Sequence, residues 1–247
     1  MTSIGTGYDL SASTYSPDGR IFQVEYANKA VENSGTAIGL RVKDGIVLAV
    51  EKIVHSKLLV PDANRRIQSV DKHIGLATSG FQADGRNLAS RARDEATSYR
   101  DMYRAQSPVK EVVSRLSMYV QAYTLYSSVR PFGVSTIIGG VDSTGPQLFI
   151  VEPSGVAYGY FGAAVGKGKQ LAKTEIEKLK LAELSTREAV MEAARIIYLV
   201  HDDQKEKDFE LEMTWIGDET NGLHIPVPKD LHSEAERKAK EALENFE

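Results

Sequence analysis

The stretch SGTAIGLRVKDG, residues 34–45, predicts the strand and the hairpin turn from which the fold can be worked out. The strand pattern begins directly after a Gly-Thr bond. Apolar residues occupy every second position from 38 to 42, as in a strand with one apolar face. Asp44 and Gly45 then give the strongest short-range signal for a hairpin turn. The apolar run IVLAV, residues 46–50, predicts a second strand that is covered on both faces.

The bond between Gly35 and Thr36 raises the question of whether the chain carries a threonine nucleophile. An N-terminal threonine can attack a carbonyl because its own amine acts as the base. Here the amine of Thr36 is held in a peptide bond unless the chain is cut after Gly35. Catalysis by Thr36 therefore requires processing, and the alternative is the same scaffold without the chemistry.

A helix is predicted ahead of the hairpin, over residues 21–32. The turn SPDG, residues 16–19, precedes it, since proline presets φ and glycine accepts a positive φ. Two apolar stripes run along the helix, the first formed by Ile21, Val24, Ala27 and Val31 and the second by Phe22, Tyr26 and Ala30. Two stripes indicate burial on two sides, one of them against a neighbouring subunit. A single wide face on the chain's own core is the alternative.

Strands and helices follow in separate blocks along the rest of the chain. Apolar runs predict strands near 65–70, 73–80, 134–141, 147–152, 156–161, 211–217 and 223–227. Helical spacing predicts helices near 88–103, 112–126, 170–180, 185–201 and 233–246. The pairs Ser185 with Glu188 and Ser233 with Glu236 have the spacing of capping boxes. Blocks of this kind predict layers, with one sheet packed on another and helices outside.

The overall composition disfavours several partners and chemistries. The 30 Lys and Arg against 34 Asp and Glu leave a net charge of -4, so no global basic field attracts nucleic acid or an acidic membrane. The absence of cysteine removes disulfides, thiolate catalysis and cysteine zinc sites. No signal-peptide pattern opens the sequence, and no apolar run approaches the ~20 residues that span a bilayer. We expect a soluble, intracellular protein without nucleic-acid or membrane partners.

No cofactor and no metal are expected. The glycine-rich stretch FGAAVGKGKQ, residues 161–170, fails both phosphate-binding patterns, because Lys167 and Leu171 stand where those patterns need glycine. A close approach of two backbones explains these glycines better. The five histidines lack metal-site spacing, and the acidic segment 201–210 lacks the glycine and the final glutamate of a calcium loop.

Four long segments carry a family resemblance. They are YSPDGRIFQVEYANKAVENSGTAIGL at 15–40, EKIVHSKLL at 51–59, SVRPFGVSTIIGGVD at 128–142 and PSGVAYGYFGAAVGKGKQ at 153–170. Together they resemble the alpha subunits of the 20S proteasome. The resemblance covers essentially the whole chain, and the pattern over residues 8–31 is specific to alpha rather than beta subunits. It implies an α+β fold, the four-layer α/β/β/α sandwich of the N-terminal nucleophile hydrolase type.

The resemblance implies a single domain over residues 1–247. Its parts are a gating arm and turn at 1–20, the N-terminal helix at 21–32, a sandwich core at 35–228 and a C-terminal helix at 230–247.

The resemblance also implies which residues occupy the catalytic positions of the beta subunits. Matching Gly39 and the strand that follows the hairpin places Glu51 at the acid, Arg66 at the lysine and Gly35 at the nucleophile. Thr36 falls one position late, and an arginine stays protonated and cannot join proton exchange. The implied subunit is therefore non-catalytic. An active N-terminal threonine hydrolase, processed between Gly35 and Thr36, is the alternative.

Two groups of functional residues are carried over from the family, and a third is expected from the second apolar stripe of the helix. A cluster that organises the pore matches Tyr8, Asp9, Pro17 and Tyr26. A pocket for the C-terminal carboxylate of activators matches Arg66 and Gly80, with an ion pair of Arg66 as the alternative. Ring assembly is expected to use Phe22 and Tyr26. Residues 1–12 are small and polar, which predicts a mobile arm that gains order by contacts.

The resemblance implies partners and a cellular role. The partners are other alpha subunits in a hetero-heptameric ring, the beta subunits of the adjacent ring, activators and regulatory particles that bind through C-terminal tails, and unfolded polypeptide substrates. The subunit would control the passage of unfolded proteins to the proteolytic chamber in ubiquitin- and ATP-dependent protein degradation. We expect it in the cytoplasm and the nucleus.

Overall fold

The computed structural model describes residues 5, 7–60, 63–201 and 208–244, which form six α-helices and ten β-strands. In chain order they are α1 Phe22–Glu32, β1 Ala37–Val42, β2 Gly45–Ile53, β3 Ile67–Asp71, β4 Ile74–Gly80, α2 Gln82–Tyr103, α3 Val109–Ala122, β5 Val134–Asp142, β6 Gly145–Val151, β7 Ala157–Gly159, β8 Gly162–Val165, α4 Lys169–Glu177, α5 Thr186–Val200, β9 Phe209–Gly217, β10 Ile225–Pro226 and α6 Lys229–Glu244. Within these residues, no helix combines the length and the apolar character needed to cross a bilayer.

The ten strands form two antiparallel sheets of five strands each. The first sheet has the order β10-β9-β2-β1-β8, and the second has the order β3-β4-β5-β6-β7. Helices α4, α5 and α6 cover the first sheet, and α2 and α3 cover the second. The fold is the four-layer α/β/β/α sandwich of the α+β class that the sequence predicted.

The predicted hairpin of β1 and β2 lies at the centre of the first sheet. The two strands pair along the whole of β1, with Ala37 opposite Val50. Buried side chains of both sheets meet in a cluster that includes Ile46, Leu48, Ala77, Ile137 and Leu148. Gly39 permits this contact, since a Cβ there would lie 2.8 Å from side chains of Ile137 and Leu148 in the other sheet. The sheets therefore approach closely around β1, which fixes the position of the residues before it.

Helix α1 closes one end of the sandwich by packing on β4 and β5. Its bounds, Phe22–Glu32, match the predicted helix. Its buried residues are Phe22, Ala27 and Val31, and Val31 joins the cluster between the sheets. The predicted division into two stripes is wrong for Phe22, which is 4% exposed and faces the chain itself, whereas Tyr26 is 43% exposed. Because both stripes contribute buried residues, the structure favours the alternative, a single wide face packed on the chain's own core.

Two predicted boundaries in the middle of the chain are wrong. The segment at 156–161 is divided, because β7 ends on the edge of the second sheet and the chain then crosses to form β8 on the edge of the first. The glycine-rich stretch therefore contains a strand, and its Gly162 lets α4 pack closely, since a Cβ there would collide with Ile176. Helix α3 ends at Ala122 rather than near residue 126.

One of the two predicted capping boxes is also wrong. Helix α6 begins at Lys229, so Ser233 and Glu236 lie inside it. Glu236 instead accepts a hydrogen bond of 3.0 Å from the Tyr198 hydroxyl. The other box is confirmed at the start of α5, where Ser185 and Glu188 cap each other. The segment considered for calcium falls mainly on residues 202–207, outside the described residues.

His224 links β3, the edge strand of the second sheet, to β9 of the first sheet. Its Nδ1 lies 2.7 Å from the Ser69 hydroxyl of β3, and its Nε2 lies 2.9 Å from the Thr214 hydroxyl of β9. Gly75 makes room for the ring, because a Cβ at that position would collide with it. Burial lowers the pKa of His224 to about 4, so the ring is neutral at physiological pH.

Acid should therefore destabilise the fold through His224. The unfolded histidine has a pKa of about 6.5. Between about pH 6.5 and 4 the unfolded state therefore binds more protons than the folded state, and the free energy of unfolding decreases as the pH is lowered. The full loss is about 3 kcal/mol. The variant His224→Gln should show a smaller loss between neutral pH and about pH 4.5, measured by urea unfolding. A loss as large as that of the wild type, or of an exposed control such as His55→Gln, would contradict this role.

Candidate functional site at the start of β1

The chain enters β1 between the ends of β2 and β4 and the loop after β8, and hydrogen bonds hold it there. The Ser34 hydroxyl accepts a bond of 2.8 Å from the Gly80 N–H, and the Ser34 carbonyl accepts one of 2.9 Å from the Lys167 N–H. The Gly35 carbonyl accepts a bond of 2.8 Å from the Ser79 hydroxyl. The position that the resemblance matched to the nucleophile is thus occupied by continuous, bonded backbone.

The polar groups of Thr36 are bonded within the chain. Its N–H donates to Oε2 of Glu51 at 2.8 Å, and its carbonyl accepts from the Glu51 N–H at 2.8 Å. Its hydroxyl accepts from the Gly168 N–H at 3.0 Å, and the residue is 1% exposed. The group that would serve as the base of an N-terminal threonine enzyme is here an ordinary peptide N–H.

Glu51, the residue matched to the catalytic acid, is 3% exposed, and its two carboxylate oxygens bond to two different residues. One carboxylate oxygen accepts the Thr36 N–H, and the other lies 2.5 Å from Nδ1 of His201. His201 directly follows α5, and its side chain is 3% exposed. Sequence reasoning considered His201 only as a metal ligand and missed this contact. The available signal was the position of His201 at the end of α5, because this helix packs on β2, the strand that carries Glu51.

Arg66, the residue matched to the catalytic lysine, is directed towards the end of β4. Its guanidinium Nη1 donates to the Gly80 carbonyl at 2.9 Å, and its backbone N–H donates to Glu212 at 2.8 Å. Burial lowers the pKa of Arg66 and raises the pKa of Glu212. In the part of the chain that the structure describes, no hydrogen bond joins this guanidinium to Thr36 or Glu51. The charged group therefore does not complete a catalytic site with them.

The predicted activator pocket has its two residues in direct contact. A guanidinium offers five N–H donors, so the bond from Arg66 to the Gly80 carbonyl leaves others for a ligand carboxylate. The binding of an activator tail at this position stays a prediction.

The described part of the N-terminal arm folds back over α1. The Asp9 carboxylate accepts a hydrogen bond of 3.0 Å from the Tyr26 hydroxyl, and the Asp9 carbonyl accepts one from the Gln23 side chain. The bond to Asp9 raises the pKa of Tyr26. Gly5 lies against the rings of Phe22 and Tyr26, where a Cβ would be 3.3 Å from Phe22 Cγ. The arm is thus held by contacts with the helix.

Two of the four predicted gating residues are joined within the chain. Asp9 and Tyr26 bond to each other. Tyr8 and Pro17 are exposed, and among the described residues neither forms a hydrogen bond or a ring contact with Asp9 or Tyr26. Residues 1–4 and 6 of the predicted arm lie outside the described residues, and the gating role stays a prediction. Of the two residues expected in ring assembly, Tyr26 alone presents an exposed ring.

These features define a class of protein, the four-layer sandwich of the N-terminal nucleophile hydrolase type. The family pattern described as "Proteasome subunit" matches residues 31–216, and the N-terminal signature of the A-type proteasome subunits matches residues 8–30. The chain therefore belongs to the proteasome subunit family, and its N-terminal signature is that of the alpha subunits.

Several relatives are similar to the chain over nearly its whole length. It is 65% identical over 245 residues to "Proteasome subunit alpha type-3" of Acanthamoeba castellanii, covering 99% of this chain and 97% of the relative. It is 57% identical to the protein of the same name in Dictyostelium discoideum, covering 99% of both. It is 60% identical to "Probable proteasome subunit alpha type-7" of Saccharomyces cerevisiae, covering 95% of this chain and 83% of the relative.

The names of these relatives agree with a finer resemblance in the sequence. The segments SKLLVPDANRRIQSVDKHIG at 56–75 and EKDFELEMTW at 206–215 look most like the alpha-seven type, which human nomenclature calls alpha type-3. The relatives carry both forms of this designation.

Two glycines test how tightly the loop after β8 holds the nucleophile position. Gly166 and Gly145 share a φ of +96°, but a Cβ at Gly166 would collide with the Gly35 carbonyl, whereas a Cβ at Gly145 would meet no atom within 4 Å. The variant Gly145→Ala should lose about 1–2 kcal/mol of stability through its φ alone. The variant Gly166→Ala should lose a further ~1–3 kcal/mol through crowding. Urea unfolding measures both, and equal losses would mean that Gly35 is not held against this loop.

Proposed function

We propose that the chain is a non-catalytic structural and gating subunit of the 20S proteasome alpha ring. It would control the passage of unfolded proteins to the proteolytic chamber in ubiquitin- and ATP-dependent degradation. Alpha-type subunits of this family are generally non-catalytic parts of a protease complex. The observation that carries the proposal is the bonding of the Gly35 carbonyl and the Thr36 N–H inside the fold, beside a packed helix α1 that processing would remove.

An active threonine hydrolase processed between Gly35 and Thr36 is less compatible with these contacts. Processing would remove α1, although Phe22 and Val31 of that helix are buried. The new terminus would begin one residue after the position matched to the nucleophile. The lysine position would still hold Arg66, whose guanidinium bonds to the end of β4 and stays protonated.

The variant Thr36→Ala should leave the peptidase activities of assembled particles unchanged, because the proposed subunit supplies no nucleophile. Thr36→Ser is the matched control, since it keeps the hydroxyl that accepts from the Gly168 N–H. The measurement is the hydrolysis of fluorogenic peptides by particles that contain each variant. Turnover that disappears in Thr36→Ala and persists in Thr36→Ser would overturn the non-catalytic assignment.

The proposed gating role is supported by the contacts of the arm. Asp9 is anchored to Tyr26 and Gln23 of α1, so the arm has a defined starting point on a rigid helix. Tyr8 stands beside this anchor with its ring 42% exposed, available to a neighbouring chain. An arm fixed to α1 at Asp9 is suited to covering or clearing a pore.

Deletion of residues 2–9 should raise basal peptide hydrolysis by particles that still assemble, because the arm would no longer cover the pore. Tyr8→Ala and Asp9→Ala should instead weaken the response to an activator, since they remove contacts assigned to the open arrangement. Asp18→Ala, which removes an exposed carboxylate from the following turn, is the matched control. Basal and activated rates that stay at wild-type values in all three arm variants would leave the arm without a gating role.

The proposed partners follow from the same role. Subunits of this family assemble with other proteasome subunits. We propose that this chain joins other alpha subunits in a hetero-heptameric ring, contacts the beta ring, and receives activator tails beside Arg66 and Gly80. We also propose that it acts in the cytoplasm and the nucleus, where a chain without cysteine is compatible with reducing conditions.

A further inference from the structure

A deep cleft opens at the edge of the sandwich where β3 ends the second sheet and β9 and β10 end the first. Its volume is about 1190 Å³, above the ~300–1,000 Å³ that is typical of small-molecule sites. Helix α2 forms one wall, and α6 forms the other. A space of this size between two helices fits a segment of polypeptide.

Among the described residues that line it, the cleft has an excess of positive charge, although the chain as a whole carries -4. The cations that line it are Lys52, Arg65, Arg86, Arg93, Lys229 and Lys240, and the acidic residues are Glu210, Glu212 and Glu236. A cleft lined by one sign of charge focuses the field and raises the local concentration of oppositely charged partners. The electrostatics therefore favour an anionic occupant.

The acidic residues of the cleft are already bonded within the chain. Glu210 pairs with Lys52 at 2.6 Å. Glu212 accepts two backbone N–H groups at the start of β3, and Glu236 accepts the Tyr198 hydroxyl. These carboxylates neutralise few of the cations around them.

Most of these cations form no ion pair with another described residue of the chain. Arg93 donates to two uncharged oxygens, those of the Ser69 carbonyl and the Gln68 amide. Within the described ranges, Arg86 of α2 and Lys229 of α6 form no ion pair, and both are exposed. Carboxylates supplied by another chain would form ion pairs with these cations on both walls of the cleft.

The backbone edges inside the cleft are covered by side chains. His232 bonds to the Leu211 carbonyl of β9 at 3.0 Å, and Arg93 bonds to the Ser69 carbonyl of β3 at 2.8 Å. Strand edges protected in this way do not readily accept an added strand. Charged side chains, rather than strand addition, are therefore the means by which the cleft can hold a partner.

We propose that this edge cleft receives an extended acidic segment of a neighbouring subunit in the proteasome particle, with the carboxylates of that segment paired to Arg86 and Lys229. The proposal rests on the proposed function, because it needs the chain to be part of an assembly. Neither Arg66 nor Gly80 of the predicted activator pocket lines the cleft, although Glu212 of the cleft accepts the Arg66 N–H. Charge pairs of this kind select the partner and make association sensitive to salt.

A photo-crosslinking amino acid tests the occupant of the cleft directly. Benzoylphenylalanine replaces Ser90, which lines the α2 wall, or Lys238, an α6 residue outside the cleft that pairs with Glu234. Purified particles are irradiated, and the crosslinked peptides are identified by mass spectrometry. We expect the Ser90 position to capture a segment of one neighbouring subunit that is rich in aspartate and glutamate. Capture of a neutral or basic segment, of a protein that is not a subunit, or of nucleic acid would overturn the proposal, as would a yield no higher than that at Lys238.

Charge reversal tests the assigned pairs. The double variant Arg86→Glu with Lys229→Glu should lower incorporation into particles about tenfold or more, because like charges would face each other. The matched control, Arg237→Glu with Lys238→Glu, changes the same charge on the outer face of α6 and should incorporate normally. Native electrophoresis of particles from co-expressed subunits measures incorporation, and circular dichroism of the free chains checks folding.

The outcomes separate this inference from the function on which it rests. Normal incorporation of the wild type and of both double variants would overturn the cleft proposal and leave the proposed function intact. Failure of the wild type itself to enter particles would overturn both. If the cleft variant does not fold, the crosslinks at Ser90 alone decide the question.

Discussion

The hydrogen bond from the Thr36 N–H to the buried carboxylate of Glu51, 2.8 Å long, is the contact around which the site is organised. Its donor exists in this form only because the chain continues through Gly35. The second carboxylate oxygen of Glu51 binds His201, so one buried acid ties the start of β1 to the end of α5. A buried carboxylate is stable when its oxygens are bonded in this way, so this contact is a structural joint between β1 and α5.

Continuity through this joint explains the position of α1. The helix lies across the end of the sandwich, and its Val31 adds to the cluster between the sheets. The arm before it rests on the same helix through the contact of Asp9 with Tyr26. A cut at the start of β1 would therefore release the helix that anchors the arm.

Local signals in the sequence predicted much of the fold but little of the site. The β1–β2 hairpin was predictable because alternation and the Asp44-Gly45 turn act within a few residues. Strand β8 was missed because its four residues lie among glycines and are defined by pairing with β1. The contact of Glu51 with His201 was missed because 150 residues separate them and no local pattern records such a contact. The resemblance singled out Glu51 and Arg66 as residues at catalytic positions of the family. The structure then identified the hydrogen-bond partners of each one.

The central claim is that the chain stays continuous through Gly35 and Thr36 in the assembled particle. Intact-mass spectrometry of the chain recovered from purified particles tests it most directly, because processing would remove the whole segment before Thr36. The account predicts a mass that still includes α1 and Gly35. A mass that corresponds to a chain beginning at Thr36 would contradict it.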